Sequence, residues 1–172
     1  IKGYAAPEVD HAYTRARLLC QRVGDPAQLV SVLRGQWLFY TLRADYSIAL
    51  ELGKQMLALA EGDRHPEHLV EAHLALGIIS IYLGEFMASR THLEQAIAID
   101  NPQGQPLQTF HYVGHSRAMC LSYLGRTLWF LGYVDQALQR SQEGLALAQT
   151  LSIPMTLAQA QELCPPRPPP LD

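Results

Sequence analysis

The apolar positions of this chain recur at steps of three and four residues, the spacing of one buried face on a helix. Val9, Ala12, Tyr13, Ala16, Leu19 and Cys20 form the first stripe, behind Pro7, whose missing N–H costs nothing in a first helical turn. Gly24-Asp25-Pro26 then supplies a left-handed stop, a capping carboxylate and a first-turn proline. A second helix is expected over Pro26–Leu42, with Leu29, Leu33, Trp37 and Tyr40 on one stripe. After the turn Arg43-Ala44-Asp45, a third runs from Tyr46 to Glu61, carrying Ala49, Leu52, Gly53, Met56 and Leu57. Gly62-Asp63 ends it and Pro66 opens a fourth, Pro66–Leu83, followed by a fifth, Glu85–Ile99. Asp100 to Pro106 is a cluster of breakers. The sixth helix begins somewhere between Leu107 and Ser116 and holds Met119–Leu131; the seventh covers Val134–Leu151, and Pro154 opens a last short one, Met155–Leu163. No stretch alternates with period two for long enough to make a strand, so the expectation is all-α, about seven to eight helices.

The helices repeat in pairs. Ala44-Asp45-Tyr46, Gly84-Glu85-Phe86 and Gly132-Tyr133-Val134 superimpose. Behind them, at equal offsets, fall Ala49, Ser89 and Ala137, then Gly53, Leu93 and Ser141, then Met56, Ala96 and Gly144. Leu76-Gly77 and Leu124-Gly125 stand ahead of the second and third turns. Small residues recur because each hairpin buries one face within itself and another against its neighbour. This pattern resembles the tetratricopeptide repeat (TPR), with Leu-Gly in the first helix of a hairpin and small-large-small positions in the second. The resemblance implies a right-handed α-α superhelix of stacked antiparallel helical hairpins at about 26–61, 66–99 and 107–151, within a repeat domain at 1–163. A half repeat is expected at either end, the first helix matching the second half of a preceding unit. Trp37 departs from the pattern, standing where Gly is usual, and the third hairpin has a long insertion before its first helix. The wording WLFYTLRADYSIALEL, AHLALGIISIYLGEFMASRTHLEQAIAI and CLSYLGRTLWFLGYVDQALQRSQEGLALAQ is similar to the C-terminal TPR arrays of bacterial signalling ATPases, some with a nucleotide-cyclase-like domain. That likeness implies a regulatory or sensor region of a larger protein. No G-x-x-x-x-G-K-[ST] motif is present, so ATPase activity would lie elsewhere.

Composition narrows the function. The chain has 172 residues and a net charge of -3, which argues against a broad nucleic-acid footprint. No apolar run reaches the roughly 20 residues of a membrane span, and no secretory signal is visible. Three dispersed cysteines fit reduced thiols, and cytoplasmic localisation is expected. His111 and His115 have the four-residue step of two metal ligands but no third, and His65, His68 and His73 straddle a helix start, so no metal or cofactor is expected. Cys120 near His115 could pair as nucleophile and base, but an apolar helix makes a buried inert thiol the better reading. Asp10, Glu51, Asp100 and Glu143 are scattered, and enzyme chemistry has no support. Residues 164–172 form a proline-rich tail, expected to be extended and mobile, without either common polyproline-ligand motif.

In a TPR-like array the first helix of each hairpin lines the concave face. Counting from Gly77 and Gly125, that face takes Glu71, Leu74, Ile78, Ile81 and Tyr82, then Met119, Ser122, Arg126, Trp129 and Phe130. The first hairpin adds Arg34, Leu38 and Thr41. The expected partner-binding residues are therefore Arg34, Leu38, Thr41, Ile78, Tyr82, Arg126, Trp129 and Phe130, an apolar and aromatic surface with two cations that suits an anionic or amphipathic peptide. A non-enzymatic scaffold binding a protein or peptide segment is the leading expectation. The alternatives are a small-molecule or metal sensor and a homo-oligomer joined through uncapped solenoid ends.

Overall fold

A computed structural model describes residues 6–24, 26–62, 65–100 and 115–165. The described residues form eight helices and no strand: α1 (Pro7–Val23), α2 (Pro26–Leu42), α3 (Tyr46–Glu61), α4 (Pro66–Tyr82), α5 (Phe86–Ile99), α6 (Ser116–Phe130), α7 (Val134–Leu151) and α8 (Pro154–Leu163). Each helix packs on the next. In addition α2, α4 and α6 each touch the next even helix, ending at α8, whereas α3, α5 and α7 do not pack on one another. The even helices are therefore the inner row of a curved stack of hairpins and the odd ones the outer row.

The helix ends match the punctuation in the sequence. Pro66 and Pro154 sit in first turns, and Gly24 takes the left-handed conformation after α1. The start of the third hairpin is Ser116; the expected start at 107 and the rest of 101–114 lie outside the described residues, as do 166–172 of the tail.

The three turns are one structure built three times. Asp45 N–H donates to the Tyr40 carbonyl, Glu85 N–H to that of Ser80 and Tyr133 N–H to that of Leu128, at 2.9, 2.8 and 2.9 Å. This is the six-to-one bond of a Schellman stop, which leaves the residue before it left-handed. Gly84 (φ 77°) and Gly132 (φ 82°) take that place without strain; Ala44 (φ 61°) takes it with a Cβ.

Between hairpins and within them, small residues set the approach. A Cβ on Gly77 would lie 2.6 Å from Leu93 Cγ, so the glycine of α4 makes room for the large residue of α5. At α6–α7 both partners are small: a Cβ on Gly125 would meet the Ala137 carbonyl at 3.0 Å, and one on Gly144 would meet the Ser122 hydroxyl at 2.8 Å. Gly53 of α3 receives Leu76 of α4, joining the first hairpin to the second. Ser89 of α5 bonds Thr127 of α6 at 2.9 Å, joining the second to the third. Arg117 of α6 donates to the Ile97 carbonyl at 3.2 Å and to that of Asp100, capping α5 from the neighbouring hairpin.

α1 corrects one detail of the expected stripe. Its buried side runs through Tyr13, which fills the space over Gly35, and Cys20; Ala12 and Leu19 are exposed. The reason is that α1 packs along α2 and, among the described residues, reaches α3 through the Arg17–Gln55 side-chain bond at 2.6 Å.

The turn geometry yields a prediction. Ala44→Gly relieves the left-handed strain and is expected to stabilise the protein by about 0.5–1 kcal/mol, whereas Gly84→Ala and Gly132→Ala each cost about 1 kcal/mol. Urea unfolding of the three variants checks the opposed signs.

Candidate functional site

The inner row carries a polar network across all three hairpins. Arg34 of α2 donates through Nε to Glu71 of α4 at 3.1 Å. Ser116, the first residue of α6, donates to the other carboxylate oxygen of Glu71. The side chains of Arg34 and Glu71 are only 12% and 7% exposed, so the pair is largely out of water. The Arg34 guanidinium also lies 4.4 Å above the ring of Trp37, at the position where the other hairpins have glycine. Trp37 is buried, so the departure places a large ring in the core and a cation on its face. Arg34 Nη1 and Trp37 Nε1 are buried without a hydrogen-bond partner among the described residues.

Toward the C-terminal ends of the inner helices the surface becomes aromatic. Tyr46 stacks on Tyr82 with ring centroids 5.2 Å apart, and one hairpin further on Phe86 stacks on Phe130 at 4.9 Å. These are equivalent positions, the second residue after one turn against the second before the next. Each pair joins α3 to α4 or α5 to α6 with its edges in solvent: Tyr82 is 50% and Phe130 49% exposed. A cavity of about 250 Å³ opens between them, lined by Ile81, Tyr82, Phe86, Tyr123, Arg126 and Phe130. Arg126 lies 5.9 Å over Phe130 and makes no ion pair among the described residues.

Tyr123 forms the floor. Burial pushes its hydroxyl up to about 12, and Tyr82 adds to the rise, while the charges of Arg34 and Arg126 pull the other way. Glu162 of α8 also bears on it. Residues of four inner helices therefore share one electrostatic environment around a neutral phenol.

The sequence-derived site residues divide accordingly. Tyr82, Arg126 and Phe130 line the cavity, with Ile81 beside them. Leu38 and Trp129 are half-buried and packed on the core, and the Thr41 hydroxyl is turned back to the Trp37 carbonyl at 2.8 Å. Ile78 is 3% exposed and belongs to the core, leaving no surface for a partner. Leu74 and Met119 are buried as well, and Ser122 faces Gly144 inside the third hairpin and donates to the Ala118 carbonyl. These positions fail as groove positions because consecutive inner helices touch, so part of each helix's inner side is covered by its row neighbour. Arg34 is present but engaged, holding Glu71. Sequence reasoning missed Phe86 and Tyr123; the aromatic at Phe86, repeated at Tyr46, was the available signal.

The other candidate chemistry is dispersed. Among the described residues no group of three His, Cys, Asp or Glu stands close enough to hold a metal ion. His111 lies outside them; the His115 amide bonds the Thr156 hydroxyl at 3.1 Å. Cys120 is fully buried, and burial first, then Glu71 and Asp100, push its thiol well above the ordinary range, away from a reactive thiolate. No described helix is long and apolar enough to cross a membrane. No known family profile and no curated protein sequence matches the chain.

The Arg34–Glu71–Ser116 network yields a second prediction. Glu71→Ala strands the buried guanidinium and is expected to cost about 3–5 kcal/mol. The joint replacement Arg34→Met/Glu71→Leu is expected to recover most of that loss, because the desolvation cost of both charges disappears together. Thermal and denaturant unfolding of the two variants distinguish an uncompensated charge from lost packing.

Proposed function

We propose that the protein is a non-enzymatic scaffold of the TPR type that binds a peptide segment of another protein, and that it serves as the sensor or docking region of a bacterial cytoplasmic signalling protein. The observation that carries the reading is the cavity between two repeated, half-exposed aromatic pairs, with Arg126 at its wall making no ion pair among the described residues. Aromatic side chains give large contact area at little entropic cost, and an arginine beside them orients a carboxylate. The segment that fits best carries an Asp or Glu next to an apolar side chain. Specificity toward acid arises because a basic segment would bring a second cation against Arg126.

Immobilised peptides with acidic-apolar sequences, set against counterparts with Lys in place of Asp or Glu, test this directly. The acidic set is expected to bind, and Arg126→Glu to weaken binding at least about tenfold while leaving the melting temperature unchanged. Arg34→Glu is unsuitable for the purpose, since it would press two carboxylates together at Glu71. Equal retention by wild type and Arg126→Glu would remove the groove from the account.

Self-association is a second reading, favoured by α1. Leu18, Leu19 and Val23 are exposed along a helix that packs chiefly on α2. Light scattering over a range of concentrations is expected to show growth that Leu19→Glu abolishes; a constant monomer mass would end this reading.

A further inference from the structure

The central hairpin departs from the repeat at a pair of facing positions. In the register set by the three turns, His73 of α4 corresponds to Leu33 of α2, and His92 of α5 to Leu52 of α3. Leu33 and Leu52 are buried core residues. The fold therefore accepts two leucines at these positions, yet the central hairpin has two imidazoles. Their Nδ1 atoms are 3.0 Å apart, the ring centroids 5.3 Å and the ring planes at 36°. Both side chains are half-buried.

Two Nδ1 atoms at this distance make a hydrogen bond in one way: one ring carries Nδ1–H and the other offers its lone pair. The acceptor ring must then be unprotonated at Nδ1, whereas the donor ring can take a first proton at its free Nε2 and keep the bond. A second proton, on the acceptor Nδ1, places an N–H donor and a positive charge on each side of the gap, and the attraction becomes repulsion. No third His, Cys, Asp or Glu joins the pair among the described residues, so the contact is proton-linked rather than part of a closed metal site.

We propose that His73 and His92 form a proton-operated latch: while at least one Nδ1 is unprotonated the rings share a hydrogen bond that ties α4 to α5, and protonation of both rings opens the contact and loosens the central hairpin as the solution becomes acidic. Among the described residues the surroundings leave the pair to itself. On α3, Glu51 pairs with Lys54, and on α5, Arg90 pairs with Glu94. On α2, Arg34 is held by Glu71 of α4, and on α6, Arg117 is held by backbone carbonyls. The remaining titratable or charged side chains on these elements, Tyr40, Tyr46, Glu61, Glu67, His68, Tyr82, Cys120, Tyr123 and Arg126, do not register on either ring. Burial lowers the pKa of both histidines, and the charge of His92 lowers that of His73 further.

The sign follows from linkage. Each ring binds a proton less readily in the folded protein than in the unfolded chain, where the ordinary value is about 6.5. The stabilisation from the pair is thus fully present above about pH 6.5 and is lost as pH falls from there through the lowered folded values. α4 brings Ile81 and Tyr82 to the groove cavity and α5 brings Phe86, so a loosened hairpin reaches the groove wall. The latch rests on the fold alone and does not require that the groove bind a peptide.

The test compares wild type with His73→Leu/His92→Leu, which copies the first hairpin, in buffers containing a chelator. Between about pH 7.5 and about pH 5.5 the wild-type melting temperature is expected to fall by about 2–4 °C more than that of the variant, the remaining histidines contributing equally to both. Proton NMR of the ring resonances gives a reading that does not depend on the double variant folding. Both rings are expected to titrate below the ordinary value in wild type, and His73 to move back toward it in His92→Leu. Parallel melting curves, or wild-type rings titrating independently near the ordinary value, would overturn the proposal.

Discussion

Glu71 is a carboxylate taken almost wholly out of water near the middle of a chain that is held mostly by apolar contact. It is tolerated because donors reach it from two other hairpins, Arg34 from the first and Ser116 from the third. Apolar surfaces slide at small cost; a buried charge with two fixed donors does not, since any shift leaves a desolvated group unpaired. The network therefore pins the inner helices α2, α4 and α6 in one relative position. The aromatic pairs and the cavity between them depend on that position, as each is shared between consecutive hairpins. Trp37 belongs to the same device: its ring replaces the usual glycine and supports the guanidinium that holds Glu71.

The outer row contributes differently. Apart from the Arg17–Gln55 side-chain bond between α1 and α3, its described helices do not pack on one another, so curvature is set by how closely each is drawn to the inner helices beside it. Leucine over glycine at α4–α5, and glycine and serine on both sides at α6–α7, give two different solutions to the same close approach. The identical backbone bonds at the three turns show that these differences are accommodated in side chains, with the turn geometry kept constant.

Much of this architecture is legible in the residues. The three-and-four spacing, the Gly-Pro punctuation and the repeated small positions lead to the eight helices and their pairing. What periodicity could not separate was the covered from the open part of an inner helix. Ile78 and Tyr82 lie one turn apart on the same helix, yet one is core and the other half in solvent, because the row neighbour covers only part of that side. Nor does any local pattern pair residues between hairpins: Arg34 with Glu71, Phe86 with Phe130 and Ser89 with Thr127 are brought together by stacking alone. His73 reads from the sequence only as one of three histidines about a helix start, and nothing there marks His92; their contact depends on the hairpin's exact pitch.

The central claim is that one buried carboxylate couples the first hairpin to the third. A double-mutant cycle between Arg34→Met and Ser116→Ala, read by equilibrium unfolding, tests it most directly. Those two residues are on different helices and meet only through Glu71. The account predicts a coupling energy of about 1 kcal/mol or more, disappearing when the cycle is repeated in Glu71→Leu. Additivity within about 0.5 kcal/mol in the wild-type background would contradict it.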